Sequence, residues 1–208
     1  RVANEGIDAV VRDMAVMAPL HHNLSEIHDE IEFLGAVRQA ARILFGLGQP
    51  AFLLTREDGL VLTGAGVDGQ PPLLQSFGIP LDEARSLLAA VALGEAPRVT
   101  FNASPAVGAS LTDLQIARAI GSDGVLYLPM ASGDRRIGVM AFGVSAAQLG
   151  RWEKQLDWMA SFAKLVATSL ESRRGARDRE QRRELELTSR FEQRARQGRN
   201  PADPAVPG

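Results

Sequence analysis

The side chains best suited to metal binding are few in this sequence, and their spacing does not bring them together. The only histidines are His21, His22 and His28, all near the amino terminus. Two ligands on one helix are expected at positions i and i+4, and none of these spacings matches. The sequence therefore gives no support for a metal centre, and the same distribution argues against a haem held by histidine.

The residue sets of nucleophilic and acid–base catalysis are also missing. The chain has no cysteine, which excludes disulfides, thiolate ligands, cysteine nucleophiles and cysteine-linked chromophores. No histidine follows His28, so no Ser-His-Asp set can be assigned, and acids such as Asp82 and Glu83 fall on a predicted helix surface. The glycines between residues 64 and 69 match neither the phosphate-loop nor the dinucleotide pattern. We expect a chain that is not an enzyme, and the sequence identifies no cofactor.

Composition favours one globular domain with tails. Of 208 residues, 45% are hydrophobic and 23% charged, and the net charge is −2, so neither nucleic acid nor a membrane surface is an expected partner. No apolar run reaches the ~18 residues of a membrane span. The lack of cysteine favours a reducing compartment, and we expect the cytoplasm. The chain opens on Arg1 rather than Met, and we interpret it as a segment of a longer protein.

Hydrophobic periodicity predicts the elements of the first two thirds of the chain. A helix starts at Ser25 and buries one face through Leu44, and glycines at 46 and 48 stop it. The next predicted elements are a hairpin of strands 51–55 and 60–63, a loop over 64–72, a helix over 81–93, an edge strand over 97–101, and a helix to Ile120 that opens on a Ser110/Asp113 capping box.

The clearest secondary-structure pattern in the chain lies in its last unit, residues 124–170. Two apolar strands, Gly124–Met130 and Ile137–Val144, flank a polar turn over 132–136. A second capping box, Ser145 with Gln148, opens a long helix that runs through Trp152 and on to Leu170. This order predicts an antiparallel sheet with the first and last helices on one face and the middle helices on the other.

The residues of this unit resemble those of the GAF domain family. The resemblance rests on Leu126-Tyr-Leu-Pro-Met130, the Gly133-Asp134 turn, Ile137-Gly-Val-Met-Ala-Phe142 and the helix from Ser145, and it extends over residues 25–170. It implies an α+β fold with a central antiparallel sheet of five to six strands, helices on both faces and a long C-terminal helix. It also implies a sensory or regulatory role in bacterial signal transduction. A PAS-like or other profilin-like sensor is the alternative.

By this resemblance, a small-molecule pocket is expected between the sheet and the middle helices. Arg98 and Arg118 could bind an anionic group, while Phe101 and Tyr127 could stack on a ring. The full set of candidate lining residues is Thr55, Phe77, Arg98, Phe101, Ser110, Asp113, Arg118 and Tyr127. The alternative is that the arginines form surface ion pairs and the aromatic residues belong to the core, with Tyr127 facing solvent or a partner helix as a further possibility.

Two family activities find less support. Cyclic-nucleotide-binding GAF domains carry an Asn-Lys pair, and here Asn102 is followed by Ala103. The family also includes a methionine-sulfoxide reductase that uses cysteines, which this chain does not have.

The predicted organisation is a lead-in over 1–24, the GAF-like domain over 25–170, a charged connector over 171–199 and a flexible Pro-rich tail over 200–208. The connector has ten arginines and six acids, a local charge of +4. We interpret it as a helix that pairs with its copy in a homodimer, together with the N-terminal helix, and leads to an output domain beyond Gly208. The alternatives are a solvated or disordered tail, and a ligand-free structural dimerisation domain.

Overall fold

A six-stranded antiparallel sheet lies at the centre of the chain in the computed structural model. The structure describes residues 22–76, 78–81, 86–96, 99–102, 110–145, 148 and 155–198, and it describes only the main chain of 99–102 and 192–198. The elements are α1 Glu30–Phe45, β1 Ala51–Thr55, β2 Val61–Gly64, α2 Pro72–Ser76, β3 Gly78–Pro80, α3 Leu87–Leu93, β4 Val99–Asn102, α4 Leu111–Ile120, β5 Gly124–Ser132, β6 Arg135–Val144 and α5 Leu156–Gly198. The α+β fold predicted from the sequence is confirmed.

The strands lie in the order β3-β2-β1-β6-β5-β4, and each neighbouring pair is antiparallel. Strands β5 and β6 extend further than predicted, so that only Gly133 and Asp134 remain between them. Strand β4 lies at the edge, as its sequence predicts. The sequence patterns did not indicate α2 or β3, because five and three residues are too few to show a period.

Strand β6 lies beside β1 and approaches it closely at a point where only glycine fits. Gly138 pairs with Leu54 and has a φ of +155°. A Cβ at this position would lie 2.2 Å from the carbonyl oxygen of Leu53. The glycine of the Ile-Gly-Val sequence is therefore required by close main-chain approach.

Two apolar layers cover the two faces of the sheet, as predicted. Helices α1 and α5 pack on one face, where the ring of Phe45 meets Phe142, Phe162 and Trp158 edge-on at centroid distances of 5.9, 5.3 and 4.8 Å. Helices α3 and α4 pack on the opposite face, against side chains that include Tyr127. Because both faces are covered, β5 and β6 read as continuous apolar runs rather than alternating ones.

Two helices begin later than their apolar periodicity predicts. Helix α1 begins at Glu30 rather than Ser25, because the carboxylate of Asp29 accepts the N–H groups of Ile31 and Glu32 at 2.9 Å. Helix α3 begins at Leu87 rather than at residue 81, because the hydroxyl of Ser86 caps it through Ala89 N–H.

Both hydrogen bonds of the capping box predicted at Ser110 are present, and one is seen at Ser145. The Ser110/Asp113 box is complete and confirms the predicted start of α4. At Ser145, the N–H donates to Oε1 of Gln148 at 2.9 Å. Trp152, which the prediction places in the following helix, lies outside the described residues.

The chain divides into two units, one through Glu171 and one from Ser172. In the second unit, every side chain from residue 176 to 191 is exposed, including Leu185, Leu187 and Phe191. None of the helices within the described ranges has the length and apolarity that a membrane span requires.

Candidate functional site

A buried polar cluster lies on the α3–α4 face of the sheet, centred on Tyr127 and Asp113. Tyr127 projects from β5 and is fully buried, so it does not face solvent. Burial raises the pKa of the Tyr127 phenol, and the neighbouring Asp113 carboxylate raises it further through its charge and a hydrogen bond.

Asp113 joins the starts of two helices. Its Oδ2 accepts the Ser110 N–H at 3.0 Å, the Ser110 hydroxyl at 2.9 Å and the Leu87 N–H at 2.9 Å. Its Oδ1 accepts the Leu88 N–H at 3.1 Å. These donors, together with the positive ends of α3 and α4, compensate the burial of a fully enclosed carboxylate. A carboxylate with this many donors serves to hold structure, and it is poorly placed to act as a general base.

The structure brings Ser110, Asp113 and Tyr127 together, but it does not bring Arg118 to them. Arg118 lies in the last turn of α4 and is exposed. Arg118 lies five positions after Asp113, which corresponds to about 7.5 Å along the helix and a different side of it.

The remaining sequence candidates are only partly described. Thr55 ends β1, and its Oγ1 is buried with no hydrogen-bond partner among the described residues. The main chain of Phe101 lies in β4 and pairs with Val125. Phe77 and Arg98 lie outside the described residues.

Besides the α3 cap Ser86, sequence reasoning missed two buried polar side chains, Arg38 and Gln70. The guanidinium of Arg38 donates from Nε to the Pro50 carbonyl at 2.9 Å, from Nη2 to the Gly69 carbonyl at 2.9 Å, and from Nη1 to the Asp68 carbonyl. Burial lowers its pKa. The only signal in the sequence is that Arg38 interrupts the apolar stripe of α1.

Gln70 extends the sheet with its side chain. Its Oε1 accepts the N–H of Phe52 at 2.9 Å, and its Nε2 donates to the carbonyl of Phe52 at 3.1 Å. The amide therefore replaces a strand neighbour just beyond the end of β2. Together with Arg38, it fixes the loop that follows Gly64.

An open cleft of about 520 Å³ lies where β1 begins and β6 approaches its end. We call it the sheet-end cleft. Its lining includes Arg38, Arg42, Gly48, Gln49, Gly121 and Ser122. Of the sequence candidates for a ligand pocket whose side chains the structure describes, none lines it.

Metal chemistry has no site within the described part of the chain. There, no group of three histidine, cysteine, aspartate or glutamate side chains is arranged to hold an ion. His22 is exposed and lies 3.9 Å from Glu26, and His28 is also exposed.

No protein-family model matches the chain, and no curated protein is significantly similar to it in sequence. Solved structures are similar in fold. The GAF domain of a two-component sensor histidine kinase from Bacillus halodurans is 18% identical with a TM-score of 0.57, and the match covers 70% of this chain and 96% of that one. A methyl-accepting chemotaxis protein is 15% identical with a TM-score of 0.57, over 77% and 98%. The free methionine-R-sulfoxide reductase of Neisseria meningitidis is 18% identical with a TM-score of 0.54, over 77% and 89%. The fold that the last two strands and their turn predict is confirmed, and the chain has a GAF-like fold.

Proposed function

We propose that this chain is a regulatory domain of a bacterial signal-transduction protein, which binds a small molecule and relays that event through paired helices to an output domain. Domains of a sensor histidine kinase and of a chemotaxis protein share its fold. We place the domain in the cytoplasm, since a cysteine-free chain suits a reducing compartment.

The observation that carries this proposal is the apolar spacing along α5. Val166 and Leu170 are fully buried in the core. Leu187 lies three heptads after Val166, and Phe191 lies three heptads after Leu170. Leu187 is 53% exposed and Phe191 is 69% exposed. A pair of large apolar side chains that repeats the core spacing but is left exposed is the feature expected of a helix that pairs with its copy in a second chain.

The positions between these two pairs are charged. The intervening heptad positions are Arg173, Arg177, Glu180 and Glu184. In a parallel homodimer each would face its own copy, and like charges weaken close pairing. The proposed pairing is therefore anchored at Leu187 and Phe191 and is weaker between residues 173 and 184. A connector of this kind can shift in response to a change in the domain.

The proposed ligand site lies on the α3–α4 face and uses the residues that the sequence singled out. Thr55 supports this placement, because its buried hydroxyl has no protein partner among the described residues. The donors that surround Asp113 make it a structural group, which supports a binding role over catalysis. Phe77, Arg98 and Phe101 belong to the same proposal as further lining residues, whereas Arg118 does not, because it is exposed on a different side of α4.

The second candidate function is a ligand-free dimerisation domain. The close packing of this face favours it, since Leu62, Tyr127 and Val139 are all fully buried there. An α3–α4 face without an internal cavity would leave the paired helices as the only functional element.

Native mass spectrometry of the expressed chain tests the first function against the second. A dimer with an additional mass of a few hundred daltons, lost on denaturation, is the expected result for a ligand sensor. A bare dimer that gains no thermal stability from a metabolite library overturns ligand sensing and supports the structural role. A monomer at all concentrations overturns both.

The helix pairing has its own test, because the chain contains no cysteine. A single Leu187→Cys substitution should form a disulfide-linked dimer on mild oxidation. Arg182→Cys, which lies on the opposite side of the same helix, is the matched control and should cross-link far more slowly. Equal rates at both positions would contradict parallel pairing through Leu187.

A further inference from the structure

The sheet-end cleft contains a buried positive charge that has no carboxylate partner among the residues that the structure describes. Arg38 is only 4% exposed, and its three acceptors within the described residues are all main-chain carbonyls. Neither Arg38 nor Arg42 forms an ion pair with any acid in the described part of the chain. Carbonyl dipoles only partly offset the cost of burying a full charge, so an anionic group would be a favourable further partner for the Arg38 guanidinium.

Donor capacity remains in the cleft after these contacts are counted. A guanidinium has five N–H donors, and Arg38 uses three of them on Pro50, Asp68 and Gly69. Arg42 lies four residues further along α1, on the same side of the helix, and is exposed. The two arginines therefore offer one fixed and one adjustable cation at the same cleft.

Neutral groups around the arginines can complete a small site. The Ser122 hydroxyl donates to the Val144 carbonyl at 3.0 Å and retains its capacity to accept. Gln49 also lines the cleft. The N–H of Gly121 donates to two carbonyls in the last turn of α4, those of Ala117 and Arg118.

Two of the four glycines that line the cleft have open space beside them. A Cβ built at Gly48 or at Gly121 would meet no atom within 4 Å. A volume of about 520 Å³ is large for a simple inorganic ion and falls within the range of small-molecule sites.

We propose that the sheet-end cleft is a binding site for a small organic anion, whose carboxylate or phosphate group is held between Arg38 and Arg42. This site is separate from the ligand site proposed on the α3–α4 face and does not depend on it. A carboxylate is planar and a phosphate is tetrahedral, but each presents a pair of oxygens that a guanidinium binds through paired hydrogen bonds.

Titration calorimetry with sodium malonate and with inorganic phosphate, at constant ionic strength set by sodium chloride, tests this proposal. The wild-type chain should bind at least one of the two. Binding of malonate alone identifies a carboxylate ligand, and binding of phosphate alone identifies a phosphoryl ligand. If neither binds at tens of millimolar, or if both give the heat of sodium chloride alone, the proposal is overturned.

Two pairs of variants locate the binding. Arg42→Ala should weaken it by about tenfold, the loss of one charge-assisted contact, whereas Arg56→Ala removes the same charge from a distant exposed turn and should change nothing. Gly48→Leu should fill the cleft, whereas Gly66→Leu, also exposed and open, should not affect binding. Equal effects within either pair overturn the assignment to this cleft.

A Tyr127→Phe variant separates this proposal from the function proposed above. Anion binding should be unchanged by this substitution, since Tyr127 does not line the cleft. A loss of binding in Tyr127→Phe, with Arg42→Ala unaffected, would move the anion to the α3–α4 face and overturn the site proposed here.

Discussion

Tyr127 is the single tyrosine of the chain, which makes its environment measurable without any label. Burial and the Asp113 carboxylate raise the pKa of its phenol above the usual value of 10. Below about pH 10 the phenol is neutral in both the folded and the unfolded state, so Tyr127 makes stability neither rise nor fall with pH. Above that pH the unfolded chain releases the phenolic proton and the folded chain does not, so stability is lost as pH rises.

The size of this loss follows from the linkage between protonation and folding. Each pH unit above the unfolded pKa favours the unfolded state by about 1.4 kcal/mol for one group. At about pH 11 the wild-type chain should therefore have lost roughly 1.4 kcal/mol of unfolding free energy that a Tyr127→Phe variant retains. Lysine and arginine residues titrate equally in both proteins, and their contributions cancel in the comparison.

The assay is urea unfolding of both proteins at neutral pH and at about pH 11, with phenolate absorbance followed in parallel. The absorbance should rise only when the wild-type protein unfolds. A phenolate signal that develops reversibly near pH 10 while the circular dichroism remains native would refute the buried contact with Asp113. An equal loss of stability in the two proteins would refute it as well.

Three further substitutions test the contacts that hold the fold. Asp113→Asn replaces an oxygen that accepts three hydrogen bonds with an amide nitrogen that accepts none, and urea unfolding should show a loss of about 3 kcal/mol in unfolding free energy. The control is Asp123→Asn at an exposed position, which should lose under about 0.5 kcal/mol. Equal losses in the two variants would contradict the role of Asp113. Gly138→Ala should lower the unfolding free energy by at least about 2 kcal/mol, because its Cβ would collide with the β1 main chain. Gly66→Ala is the control, since a Cβ there has open space around it. A Gly138→Ala protein of unchanged melting temperature would show that the strands do not approach this closely. Gln70→Ala leaves a buried main-chain N–H of β1 without its acceptor and should cost about 1–3 kcal/mol by the same measurement; no change would mean that water replaces the amide.

Local signals predicted the elements that depend on neighbouring residues. Strands β5 and β6 are apolar runs on either side of a short polar turn, and runs bounded by turn residues in this way favour buried strands. The Ser110/Asp113 box is a contact between residues three positions apart, so its spacing alone identifies it.

The start of α1 was ambiguous for a physical reason. Ser25 and Asp29 are both residue types that cap helices, and Ile27 continues the apolar spacing between them. The hydroxyl of Ser25 instead donates to the His22 carbonyl, within a separate helical turn. The sequence could not distinguish the two, because the periodicity extended past the true cap.

The site residues that were missed depend on contacts between distant parts of the chain. The spacing of Arg38 and Arg42 does not show which of them is buried, because the carbonyls that hold Arg38 come from residues 50, 68 and 69. The hydrogen bonds that the Leu87 and Leu88 N–H groups donate to Asp113 likewise depend on the position of α3, 25 or more residues away in sequence. Such contacts become visible only once the sheet has set the positions of the helices.

The position of Asp113 also has a consequence for how the domain fluctuates. One carboxylate holds the first turns of α3 and α4, so neither helix can fray from its amino-terminal end without giving up bonds that the other shares. Local opening should then be cooperative, with the amide protons at both helix starts exchanging with solvent at a common rate. The α3–α4 layer would respond to a disturbance as one body rather than as two independent helices, whichever helix is disturbed first.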